Sequence, residues 1–336
     1  MTNKEIAQEL GISAAALSLI INHKPGVSSK TRSEVINKLI EMGYGNLIKA
    51  NSANDVKSIA FVIYKRHGQI LDLHPFFLLV MNKIETYARK LGYSVILFTI
   101  DERQPLVEQI GKLNELQAKG IILVATEMSI AEIKPFMQAS VPIVTLDNDF
   151  TTFPINSVSI DNAMGTRQAI DYLLEKGISE IGYLRSSVRI SSFQERQEGF
   201  EKAIRSFNLS IATENIYNVS YTEDGSYRDV RSLLKQGVSM PKSLVCDDDT
   251  IAVGAIRAFK EFGLRIPEDI AVIGFNNRPN SKLTEPELTT IDVPKDALAV
   301  AAIDTLVKAI SAESEGSSQN TLKLRVGTKL IKRKSV

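Results

Sequence analysis

The chain has 336 residues, 44% of them hydrophobic, and its 40 basic and 39 acidic side chains leave a net charge of +1. A chain of this length is able to bury more than one core. Its one cysteine excludes an internal disulfide and a zinc cluster, no secretory signal opens the chain, and no apolar run is long enough to span a bilayer. We therefore expect a soluble protein of a reducing cytoplasm.

Residues 1–44 carry the capping signals and apolar spacing of three short helices. Ser13 caps the second helix, which extends to about residue 22 and turns Leu17, Ile20 and Ile21 inward. The third helix, over about residues 28–42, is predicted to turn four apolar side chains inward: Val35, Ile36, Leu39 and Ile40. Two helices joined by a tight turn, with a supporting helix, form the helix-turn-helix plan, whose second helix enters the major groove. The sequence predicts a DNA-binding head.

This head is only weakly basic. Residues 1–57 contain seven basic and five acidic side chains, a net charge of +2, which leaves −1 on the rest of the chain. We therefore expect modest non-specific attraction to DNA phosphates, so that dimerisation has to supply much of the affinity for an operator.

The rest of the chain alternates apolar runs with helical patterns after a polar linker at residues 45–57. Predicted strands cover residues 59–64, 95–99, 120–124, 142–146, 157–160, 180–184, 216–219, 243–246, 271–274 and 321–331. Predicted helices cover residues 77–91, 105–117, 130–138, 163–176, 194–207, 227–235 and 250–262. Buried strands that alternate with helices indicate parallel sheets in a doubly wound α/β architecture, and two such units imply a cleft between them.

Motifs along the whole chain resemble those of the LacI/GalR family of bacterial repressors. In the head they are Ile6-Ala7, Gly11-Ile12-Ser13, Leu17-Ser18, Ile21-Asn22, Val27-Ser28, Thr31-Arg32 and Gly43-Tyr44. In the body they are Pro75-Phe76-Phe77, Leu91-Gly92-Tyr93, Asp161-Asn162, Glu195-Arg196, Gly199-Phe200, Asp248-Asp249, Ile266-Pro267-Glu268-Asp269, Gly274-Phe275, Pro286 and Leu288-Thr289-Thr290.

The resemblance implies an α/β fold with a helix-turn-helix head followed by a periplasmic-binding-protein-like sensor of two subdomains. The first subdomain is expected to comprise residues 58–156 and 290–320, and the second residues 157–289 and 321–336. In the family the linker folds into a hinge helix on DNA. Here the linker lacks the family's Pro-Asn step, and a flexible tether is the alternative.

On the second helix, the family's base-contacting positions match Ala14, Ala15 and Leu19. Family members commonly carry arginine where this chain has Leu19, so direct readout would rest on apolar contact with thymine methyl groups, aided by Ser18. The alternative is that Leu19 is an incidental exposed leucine on a head that no longer binds DNA tightly. Residues expected to orient the head on the DNA backbone are Ser13, Asn22, Ser28, Thr31 and Arg32.

Effector candidates lie in loops after strands, because ligands of open α/β sheets bind outside the carboxyl ends of the strands. Arg196 matches a family arginine that holds effector oxygens, and its alternative role is a surface ion pair. Asn276 matches a family aspartate that binds sugar hydroxyls. Asp248 and Asp249 are further candidates, although one of them capping a helix while the other faces solvent is the alternative. The remaining candidates are His74, Phe76, Asp147 and Phe193.

The sequence therefore predicts a homodimeric transcriptional regulator, most simply a repressor, that binds double-stranded operator DNA and a sugar or related small polar metabolite. The resemblance places dimer contacts on first-subdomain helices such as residues 77–91. We find no phosphate loop, nucleophile elbow, catalytic triad or metal ligand set, and we expect no cofactor. The alternative is a cytosolic small-molecule-binding protein or α/β enzyme with a degenerate head.

Overall fold

The structure is a computed structural model that describes residues 3–22, 24, 26–44, 47, 57–71, 76–210, 213–316 and 320–336. Its contacts divide the chain into two compact units, Met1–Lys57 and Ser58–Val336. His74 and nearly all of the linker, residues 45–57, lie outside the described residues.

The first unit contains three helices, α1 (Asn3–Glu9), α2 (Ala14–Ile21) and α3 (Ser29–Glu41). Their shared core consists of Ile6, Ala7, Leu17, Ile20, Ile21, Val35 and Leu39. The inward prediction for Ile40 was wrong, since its side chain is 58% exposed. The core of this unit is small, and it buries only the face of α3 that carries Val35 and Leu39. Residue 40 lies about 100° further round the helix from residue 39, so its side chain points away from that core.

The second unit contains two parallel-sheet layers. Its strands are β1 (Lys57–Lys65), β2 (Tyr93–Asp101), β3 (Ile121–Val124), β4 (Ile143–Leu146), β5 (Asn156–Ile160), β6 (Ile181–Ser186), β7 (Ile216–Val219), β8 (Ser243–Cys246), β9 (Ala271–Phe275), β10 (Thr289–Asp292), β11 (Lys323–Val326) and β12 (Lys329–Ile331). They form two six-stranded sheets, ordered β11-β5-β4-β3-β1-β2 and β12-β10-β9-β8-β6-β7. The pair β10–β12 is antiparallel.

Helices cover these sheets, as expected for buried parallel strands. They are α4 (Phe76–Lys90), α5 (Leu106–Glu115), α6 (Ile130–Ile133), α7 (Asn162–Glu175), α8 (Ser191–Ser206), α9 (Glu223–Lys235), α10 (Asp249–Glu261) and α11 (Lys295–Ser314). Helix α11 packs on α4, α7 on α8 and α9 on α10. The doubly wound α/β architecture is confirmed, whereas the 20-residue helix α11 was absent from the predicted elements. No helix among the described residues is long and apolar enough to cross a membrane.

The chain crosses between the two sheets at places that differ from the predicted boundaries. Strand β5, predicted to belong mainly to the second subdomain, pairs with β4 in the first sheet. Strand β10, predicted in the first subdomain from residue 290 onward, pairs with β9 in the second sheet. The single strand predicted at residues 321–331 is two strands, β11 in the first sheet and β12 in the second. The chain therefore crosses between the sheets after the strands β5, β10 and β11, and not before them. Each of these strands stays in the sheet where its backbone N–H and C=O groups are paired.

Candidate functional site

The outer surface of α2 is small and largely uncharged. Ala14, Ala15 and Ser18 are exposed, whereas Leu19 is half-buried. A Cβ atom placed on Gly26, whose φ is +118°, would lie 3.3 Å from Leu19 Cδ1. Leu19 is therefore not a fully exposed leucine, because it packs beside the turn after α2.

The residues predicted to orient the head on DNA hold helix ends. The Ser13 hydroxyl accepts the N–H of Ala16 at 3.0 Å, and the Ser28 hydroxyl accepts that of Thr31 at 3.1 Å. The Asn22 amide donates to the Ser18 carbonyl at 2.7 Å. These bonds cap α2 and α3, so the same side chains shape the surface that α2 presents.

Arg32 joins α3 to the end of α2. Its guanidinium donates to the carbonyl oxygens of Leu19 at 3.2 Å, Ile20 at 3.4 Å and Lys24 at 2.5 Å. A cation at the carboxyl end of a helix also complements the helix dipole. Arg32 thus sets the position of α2 directly, whatever contact it makes with a phosphate.

In the second unit, five of the predicted effector residues line one cavity between the subdomains: Phe76, Asp147, Phe193, Arg196 and Asn276. Asp147 and Asn276 directly follow the carboxyl ends of β4 and β9, as predicted from the α/β pattern, whereas Phe76 lies in α4 and Phe193 and Arg196 lie in α8. Its volume is about 20 Å³. That is room for about one water molecule.

Arg196 is the hub of this cavity and is only 2% exposed. Its Nε donates to Asn162 Oδ1 at 2.9 Å, and Nη1 donates to the Asp247 carbonyl at 2.5 Å. Nη2 lies 3.4 Å from Asn276 Oδ1, and the guanidinium stacks 3.8 Å from the ring centre of Phe275. The alternative of a surface ion pair is therefore wrong, because the guanidinium is buried and bonded to neutral partners.

Asp147 connects the two subdomains. Its carboxylate accepts the hydroxyl of Thr126 at 2.8 Å and that of Ser192, across the cleft, also at 2.8 Å. Asp147 has a φ of +77° and Asn276 a φ of +95°. This left-handed region is costly for residues other than glycine and is often retained at functional sites.

Asp248 and Asp249 lie behind the cavity, and both are fully buried. Asp248 caps α10 by accepting the N–H of Thr250 at 2.8 Å, as the alternative prediction held, but it also accepts the Asn276 amide at 2.5 Å. The prediction that the other aspartate faces solvent was wrong. Asp249 accepts the Thr290 hydroxyl at 2.6 Å and the N–H of Arg278 at 2.6 Å. Burial, and then the charge of Asp248, raise the pKa of Asp249 to about 8.

Sequence reasoning missed several residues of the site. Asp247, whose pKa is raised by burial, accepts from Tyr183 at 2.6 Å and forms an ion pair with the half-buried Arg189 at 2.7 Å. Thr126 and Ser192 hold Asp147. Their positions in the chain could have identified them, because Asp247 and Thr126 follow the ends of the strands β8 and β3, and Ser192 lies in the first turn of α8.

Comparisons with known proteins agree with this geometry. The profile of a periplasmic binding protein-like domain matches residues 170–336. The chain is 27% identical to the HTH-type transcriptional repressor PurR of Actinobacillus pleuropneumoniae, over 100% of this chain and 98% of that protein. It is 28% identical to the ribose operon repressor of Haemophilus influenzae, over 94% and 93%.

Among solved structures, the lac repressor dimer bound to operator and the anti-inducer ONPF superposes with a TM-score of 0.71 and 25% identity, over 100% of this chain and 98% of that one. These relatives are transcriptional repressors. A helical head, a two-sheet body with a polar cavity at the strand ends, and matches along the full chain make this protein similar to transcriptional repressors of the LacI/GalR type.

Proposed function

We propose that this chain represses transcription by binding double-stranded operator DNA as a homodimer, and that a small polar metabolite bound between the subdomains sets its affinity for the operator. The observation that carries the proposal is the convergence of Asp147, Arg196 and Asn276, from three separate loops and helices, on one cavity bounded by both subdomains. A site built across a cleft changes when the cleft opens or closes, which is the requirement for a ligand-dependent switch.

Helix α2 reads the major groove in this proposal. Its exposed alanines, Ala14 and Ala15, offer methyl groups to thymine methyls, and the Ser18 hydroxyl is able to donate to or accept from either base pair. Phosphate contacts then come from the capped helix ends. We expect an operator in which thymine-bearing steps and DNA shape contribute much of the specificity.

The homodimer places two heads on adjacent half-sites. Helix α4 supports this arrangement, because Leu78 and Leu79 are exposed on it although they are large apolar residues. A dimer that covers them removes that surface from water. The protein acts in the cytoplasm, at the nucleoid when bound to its operator.

Effector and operator are linked reciprocally in this mechanism. If the effector changes the affinity for operator DNA by a given factor, the operator changes the affinity for the effector by the same factor. The Ser192–Asp147 hydrogen bond crosses the cleft at 2.8 Å, so a ligand that replaces either partner changes the free energy of closing. A sugar or related metabolite carries the hydroxyls that such a replacement requires.

The test is selection of bound sequences from a random duplex pool by the full-length chain, alongside the variant Ala15→Glu. The substitution should leave the fold intact, because position 15 is exposed. The new carboxylate faces the DNA and repels its phosphates. A thymine-containing pseudo-palindrome enriched by the natural chain alone supports the proposal. If the natural chain enriches no motif, DNA binding is contradicted. If the Ala15→Glu variant enriches the same motif as the natural chain, the assignment of α2 as the reading helix is contradicted. The enriched duplex then serves to screen metabolites, beginning with ribose, whose operon one relative represses.

A further inference from the structure

A second, larger cavity lies between the two subdomains, beside the cavity that contains Arg196. Its volume is about 830 Å³, and it shares Thr126 and Ile190 with the smaller cavity. Its first-subdomain wall includes residues 126–131 and 148–152, and its second-subdomain wall comes mainly from α8 and the two residues before it. Contacts made across this large cavity therefore depend on the separation of the two subdomains.

Among the described residues, four carboxylates line the large cavity, and two of them are satisfied within their own subdomain. Glu127 is 4% exposed and accepts five backbone N–H groups of its neighbouring loop, residues 66–71, at 2.9 to 3.2 Å. Glu198 is exposed and accepts the side-chain amide of Gln194, on the same helix, at 2.9 Å. Neither set of contacts would change if the subdomains moved apart.

The other two carboxylates, Asp149 and Glu195, lie on opposite subdomains and share one cation, Arg325. Arg325 lies on β11 of the first sheet, and its Nη2 is 2.8 Å from Asp149 Oδ2 and 3.2 Å from Glu195 Oε1. Asp149 follows β4 in the first subdomain, whereas Glu195 lies on α8 in the second. The Arg325–Glu195 ion pair therefore joins the subdomains, while Asp149 holds the guanidinium in place.

Glu195 also connects this ion pair to Arg196. Its second oxygen, Oε2, accepts Asn162 Nδ2 at 2.9 Å, and Asn162 Oδ1 accepts Arg196 Nε at 2.9 Å. Asn162 is fully buried, and both ends of its amide are engaged, so turning the amide over would break both bonds. A continuous chain of hydrogen bonds thus leads from Arg325 to the guanidinium of Arg196.

This chain of bonds touches two of the places where the backbone crosses between the sheets. Asn162 begins α7 directly after β5, and Arg325 is one residue before the end of β11. The N–H of Asp161 donates to the carbonyl of Val326 at 2.9 Å, so the two crossing segments lie side by side. Domain motion is absorbed by backbone rotation in such connecting segments. Glu195 therefore contacts side chains at two of the points about which the subdomains would move.

The charge of Glu195 depends on these partners. Burial raises the pKa of its carboxyl, whereas the bond from Asn162 and the charge of Arg325 oppose that rise. Among the described residues, Arg325 is the one cation that forms an ion pair with Glu195. An ionised Glu195 is therefore stabilised by the contacts that join the subdomains, and charge-assisted hydrogen bonds are stronger than neutral ones.

We propose that the Arg325–Glu195 ion pair is a latch on the effector cleft, which holds the subdomains together beside the large cavity and, through Asn162, fixes the guanidinium of Arg196. This inference rests on the proposed function, because it concerns regulation of the same site. Separation of the subdomains requires the latch to break, so Arg325 and Glu195 are positioning residues that set how often the cleft opens. An effector bound to Arg196 is thereby connected to the crossing segments.

The test measures opening of the cleft without effector or DNA. In the full-length chain, Thr126→Cys places a reporter thiol on the wall that both cavities share, at a position that is 2% exposed. Methyl methanethiosulfonate labels this thiol, and mass spectrometry follows its labelling rate separately from that of Cys246. Cys246 is 1% exposed in a buried hydrophobic cluster, so its labelling rate reports general loosening of the fold.

Glu195→Gln and Arg325→Gln each remove the latch. The matched control is Glu198→Gln, which removes the same charge from the same helix and the same cavity but affects only a bond within α8. We expect both latch variants to raise the labelling rate of the reporter at least fivefold and to leave that of Cys246 within twofold of the parent. Glu198→Gln should change neither rate more than twofold. The double variant should label within twofold of the faster single variant, because both changes remove one bond.

Equal reporter rates for Glu195→Gln and Glu198→Gln overturn the latch, because loss of a charge from α8 then has no specific effect. A parallel rise in the labelling of Cys246 also overturns it, since general loosening then accounts for access. If Glu195→Gln does not fold, Arg325→Gln decides by the same criteria. The readout uses neither DNA nor effector, so failure of the proposed function leaves this result separately interpretable.

Discussion

Replacing Arg196 with alanine should destabilise the body strongly. The substitution removes two short hydrogen bonds, to Asn162 Oδ1 at 2.9 Å and to the Asp247 carbonyl at 2.5 Å, together with the stacking of the guanidinium on Phe275. Hydrogen bonds from a charged group contribute about 1.5 to 3 kcal/mol each. The expected loss of unfolding free energy is therefore about 3 to 6 kcal/mol, a large share of the roughly 5 to 15 kcal/mol typical of a folded protein.

Arg205→Ala is the matched control, because Arg205 lies on the same helix α8 with a side chain that is 69% exposed and 3.8 Å from Glu201. An exposed ion pair of this kind contributes about 0 to 1 kcal/mol. Unfolding in urea, followed by far-ultraviolet circular dichroism, compares the two variants with the parent. If Arg196→Ala costs no more than Arg205→Ala, the assignment of Arg196 as the hub of the cavity is refuted.

Three further predictions follow from the same contacts. Because the pKa of Asp249 is about 8 in the folded protein, against about 3.9 for an aspartate in an unfolded chain, its contribution to stability is lost as pH rises through that interval. Asp249→Asn should therefore flatten the pH dependence by about 1.4 kcal/mol per pH unit, and an unchanged slope in urea titrations between pH 5 and 7 would contradict it. Arg32→Ala removes the bonds to the end of α2. Arg32→Ala should lower the affinity for operator DNA at least tenfold in a gel-shift assay, whereas Lys38→Ala, at an exposed position on α3, should change that affinity less than threefold. Equal losses of affinity would contradict the role of Arg32 in positioning α2, because loss of one positive charge would then explain both. Leu19→Arg should move base preference toward guanine, since arginine donates a bidentate pair to that base, and recovery of the same selected motif would count against it.

Much of the fold was readable from local sequence. Buried strands such as β3, β8 and β9 are short apolar runs, and Ser13 and Ser28 cap the helices that follow them. These features depend on side-chain pattern and on bonds between residues two to four apart, so the sequence alone contains the necessary information. The candidate cavity was found in part for the same reason, because strand ends were identifiable and Asp147 and Asn276 directly follow them, whereas Arg196 lies in α8 and was identified from the family resemblance.

The features that needed tertiary structure depend on partners distant in the chain. Sequence order alone does not show that β10 pairs with β9 and not with a strand of the first sheet, so the predicted subdomain boundaries were displaced. Asp249 is buried where the Thr290 hydroxyl, 41 residues away in the chain, and the N–H of Arg278 donate to its carboxylate, so the prediction that it faces solvent was wrong. Likewise Glu127 meets its loop 56 to 61 residues earlier in the chain.

The sequence by itself thus determined the architecture, the helix ends and the chemical character of the site, since these arise from short-range hydrogen bonding and the burial of apolar patterns. Tertiary structure decided which charges are buried and which side chains meet across the cleft. Those outcomes depend on desolvation and on packing between distant segments: a carboxylate such as Glu127 is stable in the interior only where several donors converge on it, and only the folded chain brings those donors together.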